Sequence, residues 1–242
     1  MANSETSFRD RQAKSTLLKD TVQIFTPAFA PADSSISIVN FNLTIAGVDA
    51  ANSNVELLAS NYTTAATQRI ALTKTVGAAI TQALSYVKSN KAWDAQCKTA
   101  KMAADKFRGV RPPSQTAPAP DPGGNPPPPA EEKKRNQGQR AYAELAAHLE
   151  SFLNAIMSCG GYTAPSTDIT ISAFSGHLSA FKGLNQFISA LDGQLTTARA
   201  LRYQLYFSEA GLQSKFQSIK DAVKGQYGQK SAQCEAVKTI KW

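Results

Sequence analysis

The stretch that decides the fold runs from Asp168 to Tyr206 and reads DITISAFSGHLSAFKGLNQFISALDGQLTTARALRYQLY. Its apolar residues recur mostly at intervals of three and four, the spacing of one face of an α-helix. Only the opening Ile169-Thr170-Ile171 alternates as a β-strand would. The pattern predicts a helix, and at about 1.5 Å per residue it would span roughly 60 Å if unbroken. The positions that carry the pattern are Ile171, Phe174, Leu178, Phe181, Leu184, Ile188, Leu191, Leu195, Ala198 and Leu205.

Three segments of this half of the chain recur, in the same order, in the other half. The separation from Ile36 to Ile169 equals that from Thr63 to Thr196, and the separation from Cys97 to Cys234 is only slightly longer. A shared order at a nearly constant separation is the mark of an internal repeat, so the sequence predicts a duplication. The matched segments are Ile36–Phe41 with Ile169–Phe174, Thr63-Thr64-Ala65 and Arg69 with Thr196-Thr197-Ala198 and Arg202, and Ala95-Gln96-Cys97 with Ala232-Gln233-Cys234.

Each copy is predicted to form three helices, with a turn near Gly77 in the first copy and near Gly211 in the second. Antiparallel packing of their apolar stripes would make a three-helix bundle. The long middle helix could break around Asn52-Ser53-Asn54 and around Asp192-Gly193. If each copy is a unit, each should melt cooperatively on its own.

Nine of the twelve prolines lie between Pro112 and Pro129. Proline has no backbone donor and a fixed φ, so this segment is predicted to be an extended linker outside helix and sheet. The predicted organisation is all-α, with two tandem, internally duplicated three-helix units over residues 1–111 and 132–242 and a linker over 112–131.

Composition favours a globular protein without a membrane span. The chain has 242 residues, is 42% hydrophobic, and carries a net charge of +8. It has no apolar run of about 18 residues, which a membrane span needs. The first residues are polar where a signal peptide would be apolar, so we expect a soluble, cytoplasmic protein.

No pattern in the sequence points to an enzyme. The histidines, His148 and His177, have no counterpart in the first copy, and no glycine-rich phosphate loop occurs. The cysteines lack the close spacing of a zinc site. We therefore predict no catalytic residue, cofactor, metal or small-molecule substrate.

Two of the three cysteines occupy matched positions. Cys97 and Cys234 each follow an Ala-Gln pair. Packing as a small apolar side chain is one interpretation, and a redox pair between the two copies is the other. Cys159 has no partner that the sequence can name.

The end of each copy is basic and carries aromatic residues nearby. Such a combination can bind nucleic acid or other anionic polymers, but it is also typical of a solvated helix end. The candidate anion-binding residues are Lys88, Lys91, Lys98, Lys101, Lys220, Lys224, Lys238 and Lys241.

The middle helices are rich in small residues and poor in charge, which favours contact with a partner or with a second copy. We therefore predict a non-enzymatic interaction or structural protein that presents two homologous helical surfaces. The alternative is a binder of anionic polymers, and a helical pore-former is a more distant one.

Overall fold

A computed structural model describes residues 5–109 and 142–242, and every regular element within them is helical. The all-α prediction is confirmed for these residues. The predicted linker lies outside them. The seven α-helices are α1 (Glu5–Gln23), α2 (Ile38–Ser89), α3 (Asp94–Arg108), α4 (Tyr142–Met157), α5 (Ile171–Phe207), α6 (Leu212–Tyr227) and α7 (Ala232–Lys238). Short 3-10 turns, Ser34–Ile36, Lys91–Trp93 and Thr167–Ile169, precede α2, α3 and α5.

The helix α2 is continuous for 52 residues, so the predicted turn at Gly77 is wrong. Val76 and Ile80, on either side of this glycine, are fully buried, and their burial outweighs the weak helix propensity of one glycine. Asn52 and Asp192 likewise lie within unbroken helices.

The predicted turn at Gly211 is present between α5 and α6. The Gly211 N–H donates to the Ser208 carbonyl at 2.8 Å. A Cβ atom at this position would come within 2.9 Å of the carbonyl oxygens of Ser208 and Tyr206. Glycine is therefore needed for the close approach of the backbone that separates α5 from α6.

The residues group into two compact units that differ from the predicted ranges. One, the terminal unit, combines Met1–Thr63 with Ala190–Trp242, and the other, the central unit, spans Thr64–Ser189. Each unit takes residues from both predicted copies. The organisation into residues 1–111 and 132–242 stays a prediction.

The core of the terminal unit joins α1 and the start of α2 to the end of α5, α6 and α7. Helix α1 contacts both α6 and α7, which lie at the opposite end of the sequence. The buried members of this core are Phe8, Leu18, Val22, Ile36, Phe41, Ile45, Val48, Tyr206, Leu212, Phe216, Ile219, Val223, Val237 and Ile240.

The core of the central unit is built around the contact between α3 and α4. Helix α3 buries one face, with Ala100, Ala104 and Phe107 at intervals of four and three. Helix α4 buries the stripe that the sequence predicted, including Leu149, Phe152 and Ile156. Helices from one predicted copy thus bury their stripes against helices from the other predicted copy.

Matched residues have the same local structure in the two units. Asp33 accepts a hydrogen bond from the Ser35 N–H, and Ser166 accepts one from the Asp168 N–H, so both short turns are capped in the same way. Ile36 and Ile169 close these turns and are buried, as are Phe41 and Phe174 in the helices that follow. This agreement supports the duplication, which stays a prediction.

Candidate functional site

An arginine stacked on an aromatic ring occurs at matched positions in both units. In the terminal unit Arg202 is only 4% exposed, and its guanidinium carbon lies 4.0 Å from the centre of the Phe8 ring. In the central unit the guanidinium carbon of Arg69 lies 3.3 Å from the centre of the Tyr142 ring. The electrostatic attraction between cation and ring strengthens when water is excluded. Arg202 therefore holds α5 to α1, and Arg69 holds α2 to α4.

An asparagine accompanies each arginine. The Asn52 amide donates to the Tyr206 hydroxyl at 2.9 Å and to Gln12 Oε1 at 3.0 Å, and Tyr206 in turn donates to the Phe8 carbonyl at 2.7 Å. Asn185 stands at the position of the second copy that matches Asn52, and its amide donates to the backbone carbonyl of the stacked tyrosine at 3.0 Å. Both asparagines thus lie next to the stacked rings.

The hydrogen bonds around Asn52 are internal to the terminal unit. Burial raises the pKa of the Tyr206 hydroxyl, so this group stays neutral and able to donate. The sequence did contain a signal for these two asparagines, because the separation between them equals that of the other matched pairs. Because Asn52 is polar, the sequence indicates a possible helix break there instead. The arrangement has the character of a structural polar network.

Removing the Tyr206 hydroxyl should destabilise the protein. The Tyr206→Phe variant leaves a buried carbonyl and the Asn52 amide short of a partner, at a cost of about 1–3 kcal/mol. Urea unfolding followed by circular dichroism measures this loss. Tyr203→Phe is the control, since Tyr203 is exposed and should unfold like the unmodified protein. Equal midpoints for the two variants would contradict a structural role for the hydroxyl.

A charged network on the surface of the terminal unit also links α1 to α2. The Arg9 guanidinium contacts Asp49 at 2.6 Å and Glu56 at 2.7 Å. Hydrogen bonds from Gln12 and Arg9 lower the pKa of Asp49, and the Arg9 hydrogen bond lowers that of Glu56. The network is solvent-exposed, so it adds little stability and orients the two helices.

The candidate anion-binding lysines of the central unit lie at the junction of α2 and α3. Lys88 is in the last turn of α2 and Lys91 in the 3-10 turn that follows. Lys98 and Lys101 are on the exposed face of α3, where Lys101 lies 3.8 Å from Asp105. The other three are exposed and form no ion pair within residues 5–109 and 142–242.

Two of the four candidate lysines of the terminal unit already have structural partners. Lys220 donates to the Ile240 carbonyl at 2.9 Å, and Lys238 pairs with Glu235. Lys224 and Lys241 are exposed. Four of the eight candidate lysines thus lie in each unit.

The three cysteines are free thiols. Cys97 is half-buried in the central unit and Cys234 is buried in the terminal unit, so the predicted redox pair is divided between the units. Cys159, which had no partner in the sequence, belongs to the core against which Cys97 packs. Burial, and secondarily the nearby Cys97, raise the pKa of the Cys159 thiol.

A metal site needs several ligand side chains close together. Within the part of the chain that the structure describes, no three His, Cys, Asp or Glu side chains come together as metal ligands would. His148 and His177 are half-buried on α4 and α5, and the His177 ring lies 6.4 Å from that of Phe174.

Exposed apolar side chains form a stripe on α2 in the terminal unit. Val39 is 71% exposed, Leu43 64% and Leu57 60%. Leu43 lies about one helical turn after Val39 and Leu57 about four turns further along, so all three face one side of the helix. The exposed Ala46 and Ala50 lie between them on the same side. We call these five residues the α2 stripe.

An open groove of about 550 Å³ adjoins the α2 stripe. Leu43, Gly47, Leu205 and Ala210 contribute to its apolar lining. Lys215 stands at its wall, where its ammonium group donates to Thr44 Oγ1 at 2.8 Å. The groove thus combines an apolar lining with one cationic side chain, that of Lys215.

None of the described helices is long and apolar enough to span a membrane. No family model, curated protein or solved structure matches the chain.

Proposed function

We propose that this is a non-enzymatic interaction or structural protein that binds a protein partner or a second copy through the α2 stripe and the groove beside it. The exposure of Val39, Leu43 and Leu57 on one side of one helix is the observation that carries the proposal. Single exposed apolar residues are common, but several along one side of a helix are typical of an interface. Covering it would remove apolar area from water at about 25 cal/mol per Å².

The two copies do not present the same surface at this place. The matched positions of the second copy hold small or polar residues: Ser172, Gly176, Ser179 and Gly183 stand for Val39, Leu43, Ala46 and Ala50. Of the two homologous surfaces that the sequence predicts, only the one in the first copy is apolar at the α2 stripe. We assign the main binding role to the first copy.

The double variant Val39→Ser, Leu43→Ser tests this role by removing the two most exposed large residues of the stripe. We expect the unmodified protein to show a mass that rises with concentration in sedimentation equilibrium, or to capture a specific partner from lysate, and the double variant to do neither. The change at both positions is on the surface, so the melting temperature should stay nearly constant.

Met102→Ser is the matched control, because Met102 is 60% exposed and lies in the central unit. It should behave as the unmodified protein in both assays. Identical masses and identical captured proteins for all three chains would contradict the proposal.

A second candidate function is binding of anionic polymers. It is favoured by the net charge of +8 and by Lys88, Lys91 and Lys98, which are exposed at one end of the central unit and unpaired among the described residues. Because phosphate binding releases counterions, affinity for single-stranded DNA should fall by at least tenfold between about 50 and 200 mM salt. Fluorescence anisotropy measures this change.

Reversing these three lysines to glutamate should abolish the binding. Lys14, Lys19 and Lys182 each pair with an acidic residue and provide a control triple reversal with the same change in net charge. Equal loss in both triple variants would show only a response to net charge and would reject a site at the α2–α3 junction.

A further inference from the structure

Cys97 lies on the face of α3 that packs against α4. The residues Trp93, Cys97, Ala100 and Ala104 follow at intervals of four, three and four, which aligns them along one side of the helix. All but the half-buried Cys97 are buried in the core of the central unit, and Cys97 packs against that core. The small alanine side chains allow the two helices to approach closely.

Cys159 lies just beyond the end of α4 and is only 2% exposed. Its N–H donates to the Ile156 carbonyl at 3.1 Å, which extends the last turn of the helix. The indole N–H of Trp93 donates to the carbonyl of Gly160 at 3.2 Å. This bond ties the residue after Cys159 to the residue one turn before Cys97.

These contacts place the segment that begins α3 against the segment that follows α4, and both thiols pack in the same core. The raised pKa of Cys159, to which the negative charge of an ionised Cys97 contributes, agrees with this placement. Cys97 is the more accessible of the two and is the thiol that an oxidant in solution would reach first.

The corresponding place in the terminal unit holds one thiol and one ring. Phe25 follows the end of α1 as Cys159 follows the end of α4, and its N–H donates to the Val22 carbonyl as that of Cys159 does to Ile156. The carbonyl after it, that of Thr26, accepts from Gln233, next to Cys234. The terminal unit thus has a phenylalanine where the central unit has Cys159, and the carbonyl after it accepts from a glutamine where that of Gly160 accepts from a tryptophan.

We propose that Cys97 and Cys159 form a redox-active dithiol that closes to an intramolecular disulfide on exposure to a hydroperoxide. The Cys97 thiolate attacks the peroxide, which breaks the O–O bond, and after proton transfer the products are a sulfenic acid and water or an alcohol. The Cys159 sulfur then attacks the Cys97 sulfur and displaces its oxygen as a second water. Two thiols are oxidised, and one hydroperoxide is reduced.

The bond would join α3, from one predicted copy, to the loop after α4, from the other. A covalent link between segments far apart in the chain restricts the unfolded state. The oxidised protein should therefore melt at a higher temperature than the reduced protein, and a thiol reductant should reverse the change.

Peptide mapping without reduction, after the full-length folded protein is treated with one equivalent of hydrogen peroxide, tests the pairing. We expect a peptide linked through Cys97 and Cys159 in the unmodified chain and in Cys234→Ser, and no linked peptide in Cys97→Ser or Cys159→Ala. Circular dichroism of each reduced variant checks that it is folded.

Peptide mapping of the unmodified chain identifies the paired cysteines even if a variant fails to fold. A link between Cys97 and Cys234 would overturn the proposal in favour of the pairing between matched residues. Peroxide treatment that carries Cys97 to sulfinic acid while Cys159 stays a free thiol would overturn it as well.

Discussion

Fragments 1–111 and 132–242, produced separately, should each lack a cooperative thermal transition, and mixing them should restore one. The reason is that neither fragment contains a complete core. Helix α1 loses α6 and α7, and α3 loses α4. A domain of this size depends on burial of its apolar stripes, because isolated helices are marginal in water.

Circular dichroism and size-exclusion chromatography measure this outcome. The matched control is the intact protein cut at a protease site placed between Pro112 and Pro129, whose halves should elute together without denaturant. Two fragments that each melt cooperatively alone and do not associate would instead support the tandem organisation that the sequence predicts.

Phe174→Ala should lower the free energy of unfolding by about 3–5 kcal/mol, the usual cost of emptying a buried aromatic position. Phe174 is fully buried in the central unit and packs edge-on against Phe152, with 5.3 Å between the ring centres. Equilibrium unfolding in urea measures the change.

Phe41→Ala is the matched variant in the terminal unit, where Phe41 is also fully buried. We expect a loss of similar size for the affected unit. Phe187→Ala is the control on the exposed side of α5, with an expected change within about 0.5 kcal/mol. Equal midpoints for Phe174→Ala and Phe187→Ala would contradict the assigned core.

The helices themselves were predictable from the sequence because their signals are local. The apolar spacing of α4, α5 and α6 marks the buried faces that the structure shows. Gly77 and Gly211 were predicted to act alike and do not. Burial on both sides of Gly77 keeps α2 helical, whereas the backbone at Gly211 makes a close approach that only glycine permits.

The contacts of the matched residues could not be predicted from the repeat. Arg69 and Arg202 were found through the repeat, but their aromatic partners, Tyr142 and Phe8, were not. Cys97 was matched to Cys234 through its neighbours in sequence, while the thiol in its own unit is Cys159. Sequence similarity shows which positions match, but it does not show whether matched residues contact one another.

The sequence by itself determined that the described parts of the chain are helical and where most of their helices bury an apolar face, and it predicted which positions of the two halves match. These properties follow from 3.6-residue periodicity and backbone chemistry, which act over a few residues. Only the tertiary structure decided which stripes meet. Matched stripes are similar enough to pack within one copy or between two, and the choice depends on the sum of contacts over a whole core. That sum joins α1 to α6 and α7, and α3 to α4, across the midpoint of the chain.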